Sequence, residues 1–236
     1  MQTNREYYDE FSERYDKGRD RGYHALIDEI EFSIIEPYAR GQKVLELGCG
    51  TGLILEKVAA IAERAQGIDI SPGMLARARA RGLDVQEGDL LQLPFESESF
   101  DLVYSLKVLA HIEEIDRALE EARRVTKIGG TLALEFYNRE SLRYVVKRLA
   151  GPRPISAAKD EADISTRWDR LDELRARLPG GLSLLGWRGV RVITPAAFAH
   201  DLPLIGPLLG DLERRLSAGP FARFGGFLIL LLRREY

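Results

Sequence analysis

Apolar and polar residues follow one another along the chain in blocks that predict strands and helices in turn. The segment 43–47, in which three of five residues are apolar, leads into three glycines at alternate positions, Gly48, Gly50 and Gly52, and a helical pattern over 52–63 follows. This order predicts a buried strand, a tight turn and a helix whose N-terminus faces a ligand. Glycine suits such a turn because it permits φ > 0 and lets a ligand approach the backbone.

The alternation of strand-like and helix-like segments continues after this loop. A helix is predicted to follow the strand at 65–69, with Ser71 as its N-cap and Pro72 in its first turn. Strands and helices in alternation are typical of a doubly wound α/β sheet. A further helix is predicted over 113–125, and the remaining strands are predicted over 83–87, 100–104, 131–137, 183–194 and 225–233.

Other segments flank this core. An aromatic stripe marks a helix over 3–16 that either docks on the core or forms a lid over a ligand. The basic amphipathic helix at 141–149 either presents a solvated face or contacts an acidic substrate or membrane surface. We expect one domain over 1–236, with a helical cap (1–40), a core (41–138) and later helices and final strands (139–236). The remaining flanking segments are a helix with an apolar face between Leu26 and Ile35, a helix over 166–178, and an insertion at 195–220 rich in proline and glycine.

Composition narrows the class of protein. The chain has 236 residues, 45% of them hydrophobic and 30% charged, and a net charge of -3, which argues against a nucleic-acid backbone as the main partner. One cysteine, Cys49, excludes a disulfide framework and, with three histidines, disfavours a structural zinc site. Residues 1–20 show no signal-peptide pattern, and the longest apolar run, 227–232, is too short for stable membrane insertion. We therefore expect a cytoplasmic protein; the sequence predicts no oligomeric state.

The glycine loop partly matches the sequence fingerprint of a dinucleotide-binding site. That fingerprint is G-x-G-x-x-G with an acidic residue about 20 residues further on. Asp69, at the end of the second strand, occupies the position of that acidic residue. The third glycine, however, comes one position early. Glu46 beside the loop would also repel a phosphate and attract a cation. A nicotinamide-dependent oxidoreductase is therefore the weaker alternative.

The segment 46–52, Glu-Leu-Gly-Cys-Gly-Thr-Gly, resembles the first motif of class I S-adenosylmethionine-dependent methyltransferases. Four further segments resemble that family in order: 67–75, 88–95, 100–112 and 123–130. The resemblance covers about residues 40–138. It implies a Rossmann-like sheet of about seven strands, mostly parallel with an antiparallel last strand.

The resemblance also implies a set of cofactor contacts. Asp69 would accept hydrogen bonds from both ribose hydroxyls, and Asp89 would take the adenine amino group. From the residues alone, Asp69 is alternatively a helix-capping acid, Asp89 a turn acid and Cys49 merely a small residue in the loop. The residues implied to bind S-adenosylmethionine, or its product S-adenosylhomocysteine, are Tyr15, Glu46, Gly48, Cys49, Gly50, Gly52, Asp69, Ile70, Met74, Asp89, Leu90 and Ser105.

The acceptor side is less defined. Where the family often has His-His after its fourth strand, this chain has Ala110-His111, and His111 is either a general base or a hydrogen-bonded loop residue. Before the fifth strand it has Lys127-Ile128-Gly129-Gly130, a departure that affects a turn. The predicted acceptor wall comprises Tyr7, Tyr8, Phe11 and Tyr15, the loop 105–111 with His111, Tyr137, and the segment 139–166.

The function implied is methyl transfer from S-adenosylmethionine to a small-molecule acceptor by in-line displacement, without a metal. The acceptor atom, whether O, N or C, is not predicted. One alternative is a catalytically silent relative that binds the nucleoside and serves as an interaction module.

Overall fold

A computed structural model describes residues 8, 9, 12, 13, 15–19, 21–150, 154–156, 159, 160, 166–194, 197–203 and 205–236. Its centre is a seven-stranded sheet in the order β3-β2-β1-β4-β5-β9-β8. Strands β1 to β5 are parallel neighbours, and β9 runs antiparallel to both β5 and β8. The strands are β1 (Lys43–Leu47), β2 (Arg64–Asp69), β3 (Asp84–Glu87), β4 (Phe100–Ser105), β5 (Thr126–Tyr137), β8 (Leu182–Val190) and β9 (Phe227–Arg234). The predicted fold class is confirmed.

Helices cover both faces of this sheet, so its central strands are buried almost without interruption, as in parallel sheets generally. Leu45 and Leu47 of β1 pack on one face and Val44 on the other, because side chains alternate along a strand. A small hairpin, β6 (Pro154–Ser156) and β7 (Lys159–Asp160), lies apart from the sheet. The helices are α1 (Gly22–Ala39), α2 (Leu53–Ala59), α3 (Pro72–Ala80), α4 (Ile115–Val125), α5 (Leu142–Ala150), α6 (Leu171–Arg177) and α7 (Ile205–Leu216).

Several predicted boundaries differ from the structure. The helix expected over 166–178 begins only at Leu171, because the backbone of Asp169 instead pairs with the end of β5: Asp169 N donates to Tyr137 O at 2.9 Å, and Arg139 N donates to Asp169 O at 2.9 Å. Strand β5 begins at Thr126 rather than 131, and a register shift opposite Phe100 and Leu102 accommodates the extra length.

The C-terminal part shows two further differences. The strand expected over 183–194 ends at Val190, where the next residue, Arg191, has φ 59°. A positive φ at a residue with a side chain breaks the extended conformation. The insertion expected at 195–220 contains helix α7, in which Gly206 and Gly210 are buried. A Cβ at Gly206 would collide with the backbone of His200, so this glycine lets the helix pack closely rather than breaking it.

The N-terminal segment is tied to the core by aspartates. Residues 8, 9, 12, 13 and 15 are helical, whereas Tyr7 and Phe11 lie outside the described residues. Asp16 accepts a hydrogen bond from Thr51 Oγ1 at 2.6 Å and pairs with Arg81 at 2.9 Å. Asp9 accepts from Ser71 Oγ and from Gly73 N. Within the described ranges, no helix is both long enough and apolar enough to cross a membrane.

Candidate functional site

The glycine loop connects β1 to α2, and its three glycines serve different purposes. Gly48, Gly50 and Gly52 have φ values of 72°, 53° and 82°, so all three lie in the left-handed region. A Cβ at Gly48 would collide with Val108, and one at Gly52 would collide with Leu83. A Cβ at Gly50 would meet nothing within 4 Å. Packing against Val108 therefore requires glycine at position 48, whereas a side chain at position 52 would displace the end of Leu83. Gly50 presents bare backbone to open space.

Asp69 at the end of β2 holds this loop in place. One carboxylate oxygen accepts from Gly50 N at 2.8 Å and the other from Ser71 N at 2.9 Å. Burial raises the pKa of Asp69, and these backbone hydrogen bonds oppose the rise. The N-cap of α3 is Ser71, whose Oγ accepts from Met74 N at 3.1 Å, so the helix does not need Asp69 as its cap.

Asp89 and Glu46 add two more carboxyl groups. Asp89 accepts from Leu91 N at 2.9 Å, as a turn acid does, and its side chain also lines the cavity described below. Glu46 is 4% exposed and accepts a hydrogen bond from the Tyr104 hydroxyl at 2.8 Å. Burial raises the pKa of the Glu46 carboxyl to about 8, although the Tyr104 hydrogen bond opposes this rise.

A cavity of about 360 Å³ opens at the carboxyl ends of the strands, beside Gly50. Ile70 is a large apolar side chain at its edge and is 40% exposed, whereas Met74 is buried. Ligands of open α/β sheets bind at this edge. The cavity brings together these sequence-predicted residues: Tyr8, Tyr15, Gly48, Gly50, Asp69, Ile70, Met74, Asp89, Leu90, His111 and Tyr137.

Of the predicted residues that the structure describes, four do not line this cavity. Glu46 and Cys49 line an adjoining smaller one of about 40 Å³. Burial raises the pKa of the Cys49 thiol, which suits a small loop residue rather than a nucleophile. Gly52 packs against Leu83, and Ser105 is fully buried with its Oγ donating to Leu47 O at 3.0 Å. These two positions shape the loop without lining either cavity.

His111 and Tyr137 form part of the wall away from Asp69. His111 ends a single 3-10 turn, Leu109–His111, that follows β4. Its ring lies 5.7 Å from that of Tyr137, edge to face. Tyr137 is the last residue of β5, so the sheet itself positions the pair.

A largely buried charged cluster lies beneath this wall and was not predicted from the sequence. We call it the acid–lysine cluster, and it comprises Asp28, Glu31, Lys107 and Glu135. Lys107 Nζ lies 2.7 Å from Glu31 and 3.1 Å from Asp28, and Lys107 N donates to Glu135 at 3.1 Å. Burial raises the pKa of Glu31 and of Glu135, while the surrounding carboxylates raise that of Lys107 against its own burial. The available signal was two acids, three residues apart, on the apolar face of α1.

The donor side of the cavity fits a cationic nucleoside. The carboxylates of Asp69 and Asp89 line it, and the exposed side chain of Ile70 offers an apolar surface for a base. The open side of Gly50 leaves room for the ligand next to Asp69. Among the described residues, no group of His, Cys, Asp and Glu side chains is arranged to hold a metal ion.

Comparisons with known proteins agree with this geometry. Residues 45–134 match the sequence model of a family described as a methyltransferase domain. A demethylmenaquinone methyltransferase of Thermobifida fusca (strain YX) is 33% identical over 141 residues, which is 54% of this chain and 58% of that protein. A malonyl-(acyl-carrier protein) O-methyltransferase of Erwinia billingiae (strain Eb661) is 35% identical over 105 residues, 44% of this chain and 42% of that protein. The chain spans about half the length of these curated relatives.

Solved structures extend the likeness to the whole fold. A methyltransferase of Thermotoga maritima, described as dependent on S-adenosylmethionine, superposes with a TM-score of 0.69 over 96% of this chain and 97% of that one, at 21% identity. At this identity the likeness concerns the fold. Residues 45–134, which contain the glycine loop, Asp69 and Asp89, are therefore similar to a methyltransferase domain, and the predicted resemblance to the class I S-adenosylmethionine-dependent methyltransferases is confirmed.

Proposed function

We propose that this chain transfers a methyl group from S-adenosylmethionine to a small-molecule acceptor. The observation that carries the proposal is the open backbone of Gly50 beside the Asp69 carboxylate, which Gly50 N and Ser71 N hold in place. A ribose that lies on this loop would bring its hydroxyls to a carboxylate whose position is already fixed. The loop therefore binds the nucleoside with little loss of conformational entropy.

The charges favour a sulfonium nucleoside over a dinucleotide. Asp69 and Asp89 line the cavity, and Glu46 lies buried beside it. The Glu46 carboxyl, with a pKa of about 8, is mostly protonated at neutral pH, so the charge comes from the two aspartates. Their carboxylates stabilise a positively charged ligand and repel a pyrophosphate. S-adenosylmethionine, when bound, supplies a methyl group already activated by the sulfonium. Repulsion between these aspartates and a pyrophosphate also disfavours a nicotinamide-dependent oxidoreductase.

The contribution of the protein is then mainly proximity, orientation and desolvation. We propose that Tyr8 and Tyr15 cover the cavity from the N-terminal segment, while His111 and Tyr137 form the facing wall. The bonds from Asp9 and Asp16 to the core would hold this segment over the ligand. We further propose one domain, in which residues 1–40 form the cap and 139–236 the acceptor side.

For a hydroxyl or amine acceptor, we propose His111 as the general base. It lines the cavity, and the edge-to-face contact with Tyr137 limits its orientation. A base in this position accepts the proton that the acceptor loses as the new bond to carbon forms. The names of the two curated relatives concern demethylmenaquinone and a malonyl-(acyl-carrier protein), and they indicate no common acceptor.

The proposed donor is tested by calorimetry with S-adenosylmethionine and S-adenosylhomocysteine. Asp69→Asn removes the ribose-facing charge, and we expect it to weaken binding of both ligands at least about tenfold, the scale of a hydrogen bond to a charged group. Asp84→Asn is the matched control, because Asp84 starts the neighbouring strand β3 and pairs with Arg64 on the surface. Failure of both nucleosides to bind, or equal effects of the two substitutions, would overturn the proposal.

Two further measurements separate the alternatives. Added NADH should show no fluorescence enhancement on mixing, whereas enhancement would favour the oxidoreductase. A methyl-release assay over a panel of hydroxyl, amine and carbon acceptors should yield S-adenosylhomocysteine. Tight nucleoside binding with no release across the panel would favour the silent interaction module.

A further inference from the structure

One arginine lies inside a cage of aromatic rings at the acceptor side of the cavity. The Arg143 guanidinium carbon lies 4.5 Å from the ring centre of Tyr137, 4.9 Å from that of Trp168 and 4.4 Å from that of Phe227. The three rings come from β5, from the extended segment before α6 and from β9. They fix the position of the guanidinium and remove most of its contact with water.

Among the residues that the structure describes, this guanidinium has no anionic partner. Its Nη1 atom is buried and makes no hydrogen bond, and within the described part of the chain Arg143 forms no ion pair. Ring faces attract a cation but accept no conventional hydrogen bond. A buried charged donor without an acceptor is costly, and a ligand that supplies the acceptor removes that cost.

Further basic groups share this wall. Lys147 lies one helical turn after Arg143 on α5, and both side chains line the cavity, as does His111. Residues four apart on a helix share one face. The carboxylates among the described lining residues, Asp69 and Asp89, both belong to the donor side.

The order of the strands separates the two sides. Asp69 ends β2 and Tyr137 ends β5, and these strands are three places apart in the sheet. With roughly 4.8 Å between neighbouring strands, the acidic and basic ends of the cavity are about 14 Å apart. A cationic nucleoside and an anionic acceptor can therefore occupy the same cavity, each against groups of opposite charge.

We propose that the acceptor carries an oxyanion, a carboxylate or a phosphate, and that the Arg143 guanidinium binds it. The inference rests on the proposed methyl transfer and specifies the substrate class. The planar guanidinium matches the two oxygens of such a group, and the aromatic cage holds it in a single orientation. The oxyanion anchors the acceptor on α5, which leaves the rest of the molecule to extend toward His111 and the donor methyl group.

The probes are benzoate, its neutral isostere benzamide, and inorganic phosphate. The chain contains two tryptophans, so Trp187→Phe leaves Trp168, in the cage, as the only indole reporter. In this variant, saturated with S-adenosylhomocysteine, we expect benzoate to change the Trp168 emission with an affinity at least tenfold higher than that of benzamide. Inorganic phosphate is then titrated against bound benzoate. A phosphate affinity higher than that of benzoate would assign the oxyanion as a phosphate, and a lower affinity would assign it as a carboxylate.

Substitutions locate the effect. Arg143→Gln should abolish the preference for benzoate while leaving the affinity for S-adenosylhomocysteine within about twofold. Arg148→Gln is the matched control, because Arg148 is exposed on the same helix and does not line the cavity. Equal binding of benzoate and benzamide, or an unchanged preference in Arg143→Gln, would overturn the inference.

Two additions keep the test decisive. If circular dichroism shows that Arg143→Gln does not fold, Arg143→Lys replaces it, because lysine keeps the positive charge without the planar guanidinium. We expect Arg143→Lys to lose most of the preference for benzoate over benzamide, and full retention of that preference would contradict the inference.

The titrations are repeated without nucleoside. A chain that binds benzoate selectively but neither nucleoside would refute the proposed methyl transfer alone. A chain that binds the nucleosides without discriminating benzoate would refute the oxyanion site alone.

Discussion

The ammonium group of Lys107 lies 2.7 Å from the carboxylate of Glu31, beneath the loop that follows β4. Glu31 is fully buried on α1, and Lys107 adopts a φ of 62°. The pair thus joins the first helix to the loop that carries the acceptor wall. The left-handed backbone at Lys107 is held by its contacts with the buried acids.

Removal of this lysine should destabilise the fold strongly. Lys107→Met leaves Glu31 and Glu135 buried without a counter-charge, and breaking a buried pair in this way costs about 3–5 kcal/mol. Lys127→Met is the control, since Lys127 lies 2.7 Å from Asp101 but both side chains are partly exposed. We expect a loss of about 0–1 kcal/mol there. Urea unfolding monitored by circular dichroism measures both, and similar losses for the two variants would refute a structural role for the acid–lysine cluster.

Glu46 should make stability depend on pH. Burial raises its pKa in the folded chain to about 8, whereas an unfolded glutamate has a pKa of about 4.3. Between these values the folded state holds a proton that the unfolded state has released. The contribution of Glu46 is therefore complete below pH 4.3 and is lost as the pH rises through about 8.

Glu46→Gln removes this titration while keeping an acceptor for Tyr104. The free energy of unfolding of the wild type should fall relative to that of the variant by a few kcal/mol, on the order implied by the shift, as the pH rises from about 5 to 8. Urea unfolding across this range gives the difference. Parallel pH dependences for the two proteins would show that Glu46 does not hold a proton in the folded chain.

The glycine loop and the sheet could be predicted because their signals are local. A buried strand, alternate glycines and a helix follow one another within 43–59, and the motif spacing then locates Asp69 and Asp89. The cluster around Lys107 could not be predicted in this way. Its partner Glu31 is 76 residues away, and the sequence between them contains no sign of the pairing.

The aromatic cage around Arg143 also could not be predicted, because its members are far apart in the sequence. It combines α5, β5, β9 and the extended residues before α6, where the periodicity of 166–178 predicted a helix. The pattern could not show that Asp169 would pair with β5 and delay that helix to Leu171. From the sequence alone, an arginine on an amphipathic helix is expected to face solvent, because the rings that cover it come from distant segments.

His111 should contribute to the rate without contributing to donor binding. With a hydroxyl or amine acceptor from the methyl-release panel, His111→Ala should lower kcat by about 10²–10⁴-fold, the usual contribution of a general base. The affinity for S-adenosylhomocysteine should change by less than about twofold, because His111 is predicted to face the acceptor. Stopped-flow and calorimetric measurements test the two parts.

His24→Ala is the control for this substitution. His24 is exposed on α1 and lies outside the cavity lining, so its removal should leave kcat unchanged. With a carbon acceptor that releases no proton in the rate-limiting step, His111→Ala should leave kcat unchanged. An undiminished kcat with every hydroxyl and amine acceptor would assign His111 to a structural role in the loop.

Gly50 and Gly41 separate backbone strain from ligand contact. Both have positive φ, 53° and 69°, and a Cβ at either would meet nothing within 4 Å. Gly50→Ala and Gly41→Ala should therefore cost similar free energies of unfolding, about 1–2 kcal/mol, the price of a left-handed residue with a side chain. Gly41 lies in the turn between α1 and β1, remote from the cavity lining.

Calorimetry with S-adenosylmethionine should then show at least about tenfold weaker binding for Gly50→Ala alone, since the added methyl group of the alanine occupies the space proposed for the ribose and methionyl portion. Equal affinities of the two variants would mean that the nucleoside does not approach Gly50, and the proposed donor position would have to be abandoned.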